Sequence, residues 1–233
     1  KYDKAIYLSD NSNSVKYAKL HHLNNGVVIE NAIDDIFFSP EMQHEYGKKA
    51  SPKISYLYVA NFNENKNQKM LLRAYARADI GESRLVFAGY EENSYLREMK
   101  KLAEEIIDAE SGKKVDFCVH IPRERVIALY RSLDIFVCTS SSETWSIVAH
   151  EAAATAMPII STDVGIYSSI GGTVIVHNED ELVKAMEKLY YNADERAQRG
   201  EAARQWILQK QCRIGDKVEQ LEKELISCIK SAC

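Results

Sequence analysis

The sequence predicts an α/β fold, a doubly wound parallel sheet with helices on both faces. Three observations carry that prediction. From residue 54 onward, short apolar runs alternate with stretches of helical period, as in βαβ units around a parallel sheet. The runs are almost continuously hydrophobic, which suits strands covered on both faces. The 233 residues are 45% hydrophobic, enough to bury the core of one large domain.

In chain order, "AIYLSD", a helix near "SVKYAKL" and "GVVIENAI" form a first strand-helix-strand unit within residues 1–50. "SPEMQHEYGKKASPK" then has the polar, proline-flanked composition of a linker. Six strands follow: "ISYLYVA" (54–60), "RLVFAG" (84–89), "VDFCV" (115–119), "DIFVC" (134–138), "PIIS" (158–161) and "TVIV" (173–176). Between the first two, Met70, Leu71, Ala74 and Ala78 recur at helical spacing. Leu96, Met99, Ala103, Ile106 and Ile107 mark a second helix, and Val126, Ile127, Leu129, Tyr130 and Leu133 a third. A fourth places Ile147, Val148, Ala152 and Thr155 inward, and Leu182, Ala185, Met186 and Leu189 mark a fifth. Two polar, charge-rich helices close the chain, at about 194–210 and 214–231. Right-handed crossovers turn this order into a doubly wound sheet.

Composition narrows the function. The formal net charge is -4 and the basic residues are scattered, whereas a nucleic-acid binder needs a concentrated basic face. No run approaches the ~18 to 20 apolar residues of a membrane span, and no charged-then-apolar leader opens the chain. A soluble, cytoplasmic protein is expected. Five cysteines, two of them inside strand-like runs, read as reduced thiols. The six histidines show no zinc-type spacing with them, so no metal is expected. The chain begins mid-strand without methionine, as a piece of a longer protein would.

The informative stretch is "SSSETWSIVAHEAAATAMPIIS", with Glu143 and Glu151 eight apart. Ligands of open α/β sheets bind at the carboxyl ends of strands, where loops feed helix N-termini. Glu143 falls in such a loop, and Trp145 and Ser146 fall near the first helical turn, whose free amides favour phosphate. Eight residues at helical rise cover about 12 Å, on the order of the span from sugar to ribose across a pyrophosphate. Two acids so placed can hold both ends of a nucleotide sugar. Glu143 can equally be an N-terminal charge partner of the helix. Glu151, among small and apolar neighbours, needs partners if buried, and a structural hydrogen bond would serve.

The pattern "ETWSIVAHEAAATAMPII" resembles the acid pair and following segment of the family 4 (group 1) retaining glycosyltransferases. "VVIENAIDDIFFSP", "YLYVANFNENKNQKMLLRAYA", "RLVFAG" and "VIALYRSLDIFVCTSSSE" are similar to other segments of that family's carboxy-terminal half, over about residues 28–190. The resemblance implies a Rossmann-like fold, one half of the two-domain GT-B type. It divides the chain into a remnant of the acceptor-side half with its linker (1–50), a nucleotide-sugar donor domain (51–193) and carboxy-terminal helices (194–233). By the same resemblance Glu151 binds the ribose, Glu143 contacts the transferred sugar and Lys66 holds the diphosphate. Thr144, Trp145 and Ser146 lie near the diphosphate and sugar, and Gly89 with Val119 to Ile121 marks the base pocket. Lys66 otherwise reads as a solvated loop lysine.

The chain departs from the family at Asn61, where an arginine partner of the lysine is usual and supplies a bidentate phosphate contact. It departs again at Ala32, Ala60, Val119, Ser146 and Ala156, where glycine is usual. The Ser146 side chain is expected close to the donor, adding a hydroxyl contact or partly blocking the site. The activity implied for the whole protein is transfer of a sugar, with configuration retained, from a nucleoside-diphosphate sugar such as a UDP-sugar to a sugar or lipid-linked glycan. No cofactor and no metal are implied. This piece alone is expected to bind donor without efficient transfer. A role in bacterial capsule, lipopolysaccharide or exopolysaccharide assembly, peripheral association with the inner face of the cell membrane, and a homodimer are further expectations. The alternatives are a degenerate, non-catalytic nucleotide-sugar-binding or partner-binding module and a related nucleotide-sugar epimerase or glycan phosphorylase.

Overall fold

A computed structural model describes residues 4–7, 13–44 and 53–232. The middle of the expected linker (45–52), the end of the first strand-like run (8–10) and Cys233 lie outside the described residues. The first strand-helix-strand unit forms as β1 (Ala5–Tyr7), α1 (Asn13–Leu20) and β2 (Gly26–Val28), the two strands pairing in parallel apart from the main sheet.

The main sheet holds the six expected strands: β3 (Ile54–Val59), β4 (Ser83–Gly89), β5 (Lys113–Val119), β6 (Ile135–Cys138), β7 (Ile159–Thr162) and β8 (Val174–Val176). Their spatial order is β5-β4-β3-β6-β7-β8 and every pair is parallel. Both-sided hydrophobicity has the expected consequence: Tyr56, Leu57, Leu85, Val86, Ile135, Phe136 and Ile160 are all completely buried.

The connecting helices are α2 (Gln68–Arg77), α3 (Ser94–Ile106), α4 (Arg123–Ser132), α5 (Ile147–Ala154) and α6 (Glu179–Tyr191), followed by α7 (Ala193–Gln209) and α8 (Ile214–Ala232). α2 packs on α3 and α6, and α5 packs on α7. Asn93, Asn178 and Asn192 cap α3, α6 and α7, each side chain accepting from the amide three residues on. At the other ends, buried Arg196 donates to the Leu189 and Tyr190 carbonyls and Arg204 to that of Ala154, satisfying carbonyls that a helix leaves unpaired.

At the start of the expected linker Pro40, Glu41 and Gln43 are exposed, while Met42 is buried. Asp35–Phe38 and Pro40–Met42 form consecutive 3-10 turns that bury Phe37, Phe38 and Met42 in the main core. Their apolar side chains prevail over the polar composition around them, because burying a Phe or Met is worth about 1.5 to 3 kcal/mol. Ile147 also departs from expectation: it is 45% exposed at the start of α5, while Ala149 and Ala152 to Ala154 make the inward surface. α8 is amphipathic rather than uniformly polar, leaving Ile214, Val218, Leu225, Ile226 and Ile229 exposed. Cys138 and Cys212 are buried thiols, as the strand context of the first implies. No helix among the described residues is long and apolar enough to cross a membrane.

Candidate functional site

The chain winds from β3 outward to β5, then returns to place β6 beside β3 and continues to β8. The loops after β3 and β6 therefore leave toward opposite faces and open a crevice at the carboxyl ends of the strands. A cavity of about 480 Å³ occupies it. Lys66, Asn61, Gly89, Ile121, Glu143, Trp145 and Ser146 line it, so one site gathers residues from four strand-to-helix connections. Thr144, Val119 and Glu151 are not among the lining residues.

Lys66 is placed by its own loop. Asn63 accepts from the Lys66 amide at 3.1 Å, closing a 3-10 turn over Glu64–Lys66. Asn67 then takes a left-handed conformation, φ 48°, which asparagine tolerates better than most residues, and the chain enters α2. The ammonium of Lys66 donates to Glu143 Oε1 at 2.6 Å, and Ser140 Oγ donates to the same oxygen at 2.8 Å. Behind them the Tyr58 hydroxyl donates to the Lys66 carbonyl at 2.8 Å, and Thr139 Oγ1 to the Asn67 carbonyl at 2.9 Å. The Ser141 amide donates to the Asn65 carbonyl at 2.7 Å, so the two loops are fastened by backbone as well as side chains. Glycine is required at Gly165, where φ is +56° and a Cβ would lie 2.9 Å from both the Cβ and the carbonyl oxygen of Glu143.

Ser146 is held by local bonds. It caps α5, with Oγ accepting from the Ala149 amide at 3.4 Å and lying 2.9 Å from the Tyr167 hydroxyl. The side chain is 3% exposed and its hydroxyl is engaged by these two partners, although the residue itself lines the cavity. Trp145 lies flat on His150, ring centroids 3.7 Å apart, with Trp206 of α7 against the imidazole at 5.5 Å. His150 Nδ1 bonds the Ser146 carbonyl at 2.6 Å, which fixes the proton on that nitrogen. Burial among aromatic rings pushes the imidazole down to about 4, against the effect of that bond.

Glu151 is completely buried and pairs with Arg123, the second cation lining the cavity. Burial raises the carboxyl pKa, and the guanidinium opposes the rise. One carboxylate oxygen, Oε2, is buried with no hydrogen-bond partner. Arg123 also lies over the Phe37 ring at 5.1 Å, which anchors its stem. The two glutamates thus each hold one cation of the cavity wall, Glu143 holding Lys66 and Glu151 holding Arg123.

On the far side, Gly89 ends β4 where a Cβ would meet the Ala60 carbonyl at 2.8 Å and Phe62 at 2.5 Å, so no larger residue fits. Ala60 and Asn61 complete that wall, and the Asn61 carbonyl accepts from Gln68 Nε2 at 2.9 Å. Ala156, expected as a replaced glycine, is buried with φ +59°, a left-handed conformation that strains an L-residue. Among the described residues no group of three His, Cys, Asp or Glu side chains is placed to hold a metal ion.

Arg123, Ser140, Tyr58 and Gly165 were not singled out from the sequence. A cation in the first turn of a helix opposes the helix dipole, and that oddity at Arg123 is a signal the sequence did carry. Ser140 and Tyr58 matter only through a Glu143 loop whose path is set in three dimensions.

Residues 38–206 match the family described as "Glycosyl transferases group 1". Over 112 residues the chain is 31% identical to the D-inositol 3-phosphate glycosyltransferase of Nocardia farcinica, a match covering 46% of this chain and 25% of that protein. The same-named protein of Mycobacteroides abscessus is 30% identical over 52% of this chain and 27% of its own length. In structure, sucrose-phosphate synthase from Thermosynechococcus elongatus superposes with a TM-score of 0.80 at 19% identity, over all of this chain and 60% of that one. An Anabaena HepE structure in complex with UDP superposes with a TM-score of 0.73 at 17% identity, over 97% of this chain and 64% of that one. The chain therefore spans about a quarter of the length of the curated relatives it matches and under two thirds of these structures.

Proposed function

The chain belongs to the group 1 glycosyl transferases, and from that premise we propose that it is the donor-binding half of a retaining enzyme that transfers a sugar from a nucleoside-diphosphate sugar. The single observation that carries the proposal is the convergence of Lys66 and Glu143, 77 residues apart, into one ion pair at the topological switch point. A diphosphate leaving group develops charge as the sugar departs, and an ammonium at the cavity wall offsets it. Glu143 accepts from hydroxyls of the transferred sugar. Ile147 and Val148, the first residues of α5, line the same cavity, where helix amides favour phosphate. Glu151 takes the ribose hydroxyls through Oε2, the oxygen that Arg123 does not hold, and because the residue is completely buried, binding requires the side chains around it to move aside. The base lies toward Gly89 and Ile121.

Support comes from the family match, from structural neighbours solved in complex with UDP or UDP-glucose, and from the Ser146 hydroxyl being engaged by Ala149 and Tyr167. In this reading the whole protein carries an acceptor half as well, and the acceptor is a sugar or lipid-linked glycan. A binding module without transfer is the second reading, favoured by Asn61 in place of the arginine expected there.

Calorimetric titration of the chain with UDP, GDP and ADP tests the donor assignment. One nucleotide is expected to bind, with Lys66→Met and Glu151→Ala each weakening it about tenfold or more. No binding of any of them by the folded chain, or unchanged affinity in both variants, overturns the assignment. Release of nucleoside diphosphate by the whole protein separates the transferase from the binding module.

A further inference from the structure

We infer that Glu143 discriminates a sugar-bearing nucleotide from a bare one by competing with the diphosphate for Lys66. The inference rests on the reading above, in which Lys66 holds the diphosphate and Glu143 faces the sugar, and adds a consequence of the ion pair between them.

The Lys66 ammonium lies 2.6 Å from Glu143 Oε1, with the two side chains 22% and 13% exposed. Neither group is open enough for water to replace its partner cheaply. A diphosphate that takes the ammonium must leave the Glu143 carboxylate with the Ser140 hydroxyl, 2.8 Å away, as its remaining donor. Stripping one partner from a half-buried charge is the costly case, because the desolvated group is left short of hydrogen bonds. A nucleotide sugar brings its own remedy, since its hydroxyls donate to the carboxylate as the ammonium departs. A bare nucleoside diphosphate brings none and adds a second anionic group beside the first. After transfer the sugar leaves with the acceptor, Glu143 regains its claim on Lys66, and the spent nucleotide is weakened in place. Specificity against a partner that cannot satisfy a buried group is the general device here.

The loop framework is suited to such an exchange. Ser141 to Asn65 and Asn65 to Ser142 bonds hold the two loops together through other atoms, so parting Lys66 from Glu143 does not separate them. The pair is a contact within a fixed crevice rather than its fastening.

The test is a double-mutant cycle read by calorimetry, with Lys66→Met, Glu143→Gln and their combination titrated with whichever of UDP, GDP and ADP binds the parent chain. Glu143→Gln is expected to bind the bare nucleotide about tenfold more tightly, and the gain is expected to vanish in the Lys66→Met background. With the glucose conjugate of that nucleotide, Glu143→Gln is expected to show no gain. If Lys66→Met weakens nucleotide binding while Glu143→Gln leaves it unchanged or weaker, the reading of the site stands and the exchange is overturned. A gain that persists without Lys66 also overturns it, since simple repulsion by the carboxylate then explains the effect. If Lys66→Met has no effect, or no nucleotide binds, the reading of the site fails and the inference with it.

Discussion

Substituting His150 by asparagine should remove a defined part of the protein's sensitivity to acid. The imidazole is completely buried between Trp145 and Trp206, with Nε2 lacking any hydrogen-bond partner and Lys210 and Lys217 adding positive potential. Its pKa falls from 6.5 to about 4 on folding. The folded state therefore binds fewer protons than the unfolded chain between those values, so His150 stabilises the fold fully above 6.5 and progressively less as pH falls toward 4. Integrated from roughly pH 7.5 to 4.5, the loss is about 2.5 kcal/mol. Asparagine places an amide donor where Nδ1 sits, 2.6 Å from the Ser146 carbonyl, and does not titrate. The assay is urea unfolding of both proteins at the two pH values. The variant starts less stable, because it loses the ring stack, yet its decline on acidification should be smaller than that of the parent by about 2 to 3 kcal/mol. Carboxylates that titrate in both proteins cancel in this difference. Equal declines would refute the placement of a neutral, desolvated imidazole.

Arg123→Ala should cost about 2 kcal/mol by stranding the Glu151 carboxylate, less than for a wholly buried pair because Arg123 is 46% exposed. Burial already raises the Glu151 pKa in the fold, so the penalty grows as pH rises above 4.5. Unfolding near pH 8 should show a larger loss than near pH 5, and adding Glu151→Gln should recover most of it. Gly165→Ala should destabilise by about 2 kcal/mol, from its left-handed backbone and the clash with Glu143, and should also weaken nucleotide binding. Ser146→Ala should cost about 1 to 2 kcal/mol through the lost cap and the stranded Tyr167 hydroxyl, while nucleotide affinity stays within about twofold. A large affinity loss there, measured by calorimetry, would show that the hydroxyl reaches the ligand.

Much of the framework was legible because it follows from local chemistry. "ISYLYVA" and "DIFVC" declare buried strands through nearly continuous apolar content, whereas their register, Tyr56 beside Ile135, is seen only in the structure. Once the strand order is known, the loops bearing Lys66 and Glu143 must meet, since each follows a strand flanking the switch point. The pairing of Glu151 with Arg123 was not legible, because it spans 28 residues and depends on how α4 lies against α5. The engagement of the Ser146 hydroxyl depends on Tyr167, a partner 21 residues later in a short 3-10 turn. Ile147 was misplaced because apolar periodicity identifies a face only when the helix is long enough to define one, and α5 has eight residues, most of them alanine or another small or buried type. The burial of Met42 was hidden by its polar, exposed neighbours, although Phe37 and Phe38 shortly before it are core residues.

Whether the crevice between β3 and β6 takes a nucleotide can be read by chemical-shift mapping of backbone amides. On addition of UDP, GDP or ADP, the amides of Asn61 to Lys66, Gly89 and Glu143 to Val148 should shift for one of the three. Those of Lys53, Glu82, Gly112 and Lys114, which line a separate cavity at the opposite end of the sheet, should not. Shifts confined to that opposite cavity, or none with any nucleotide, would show that the crevice is not a nucleotide site.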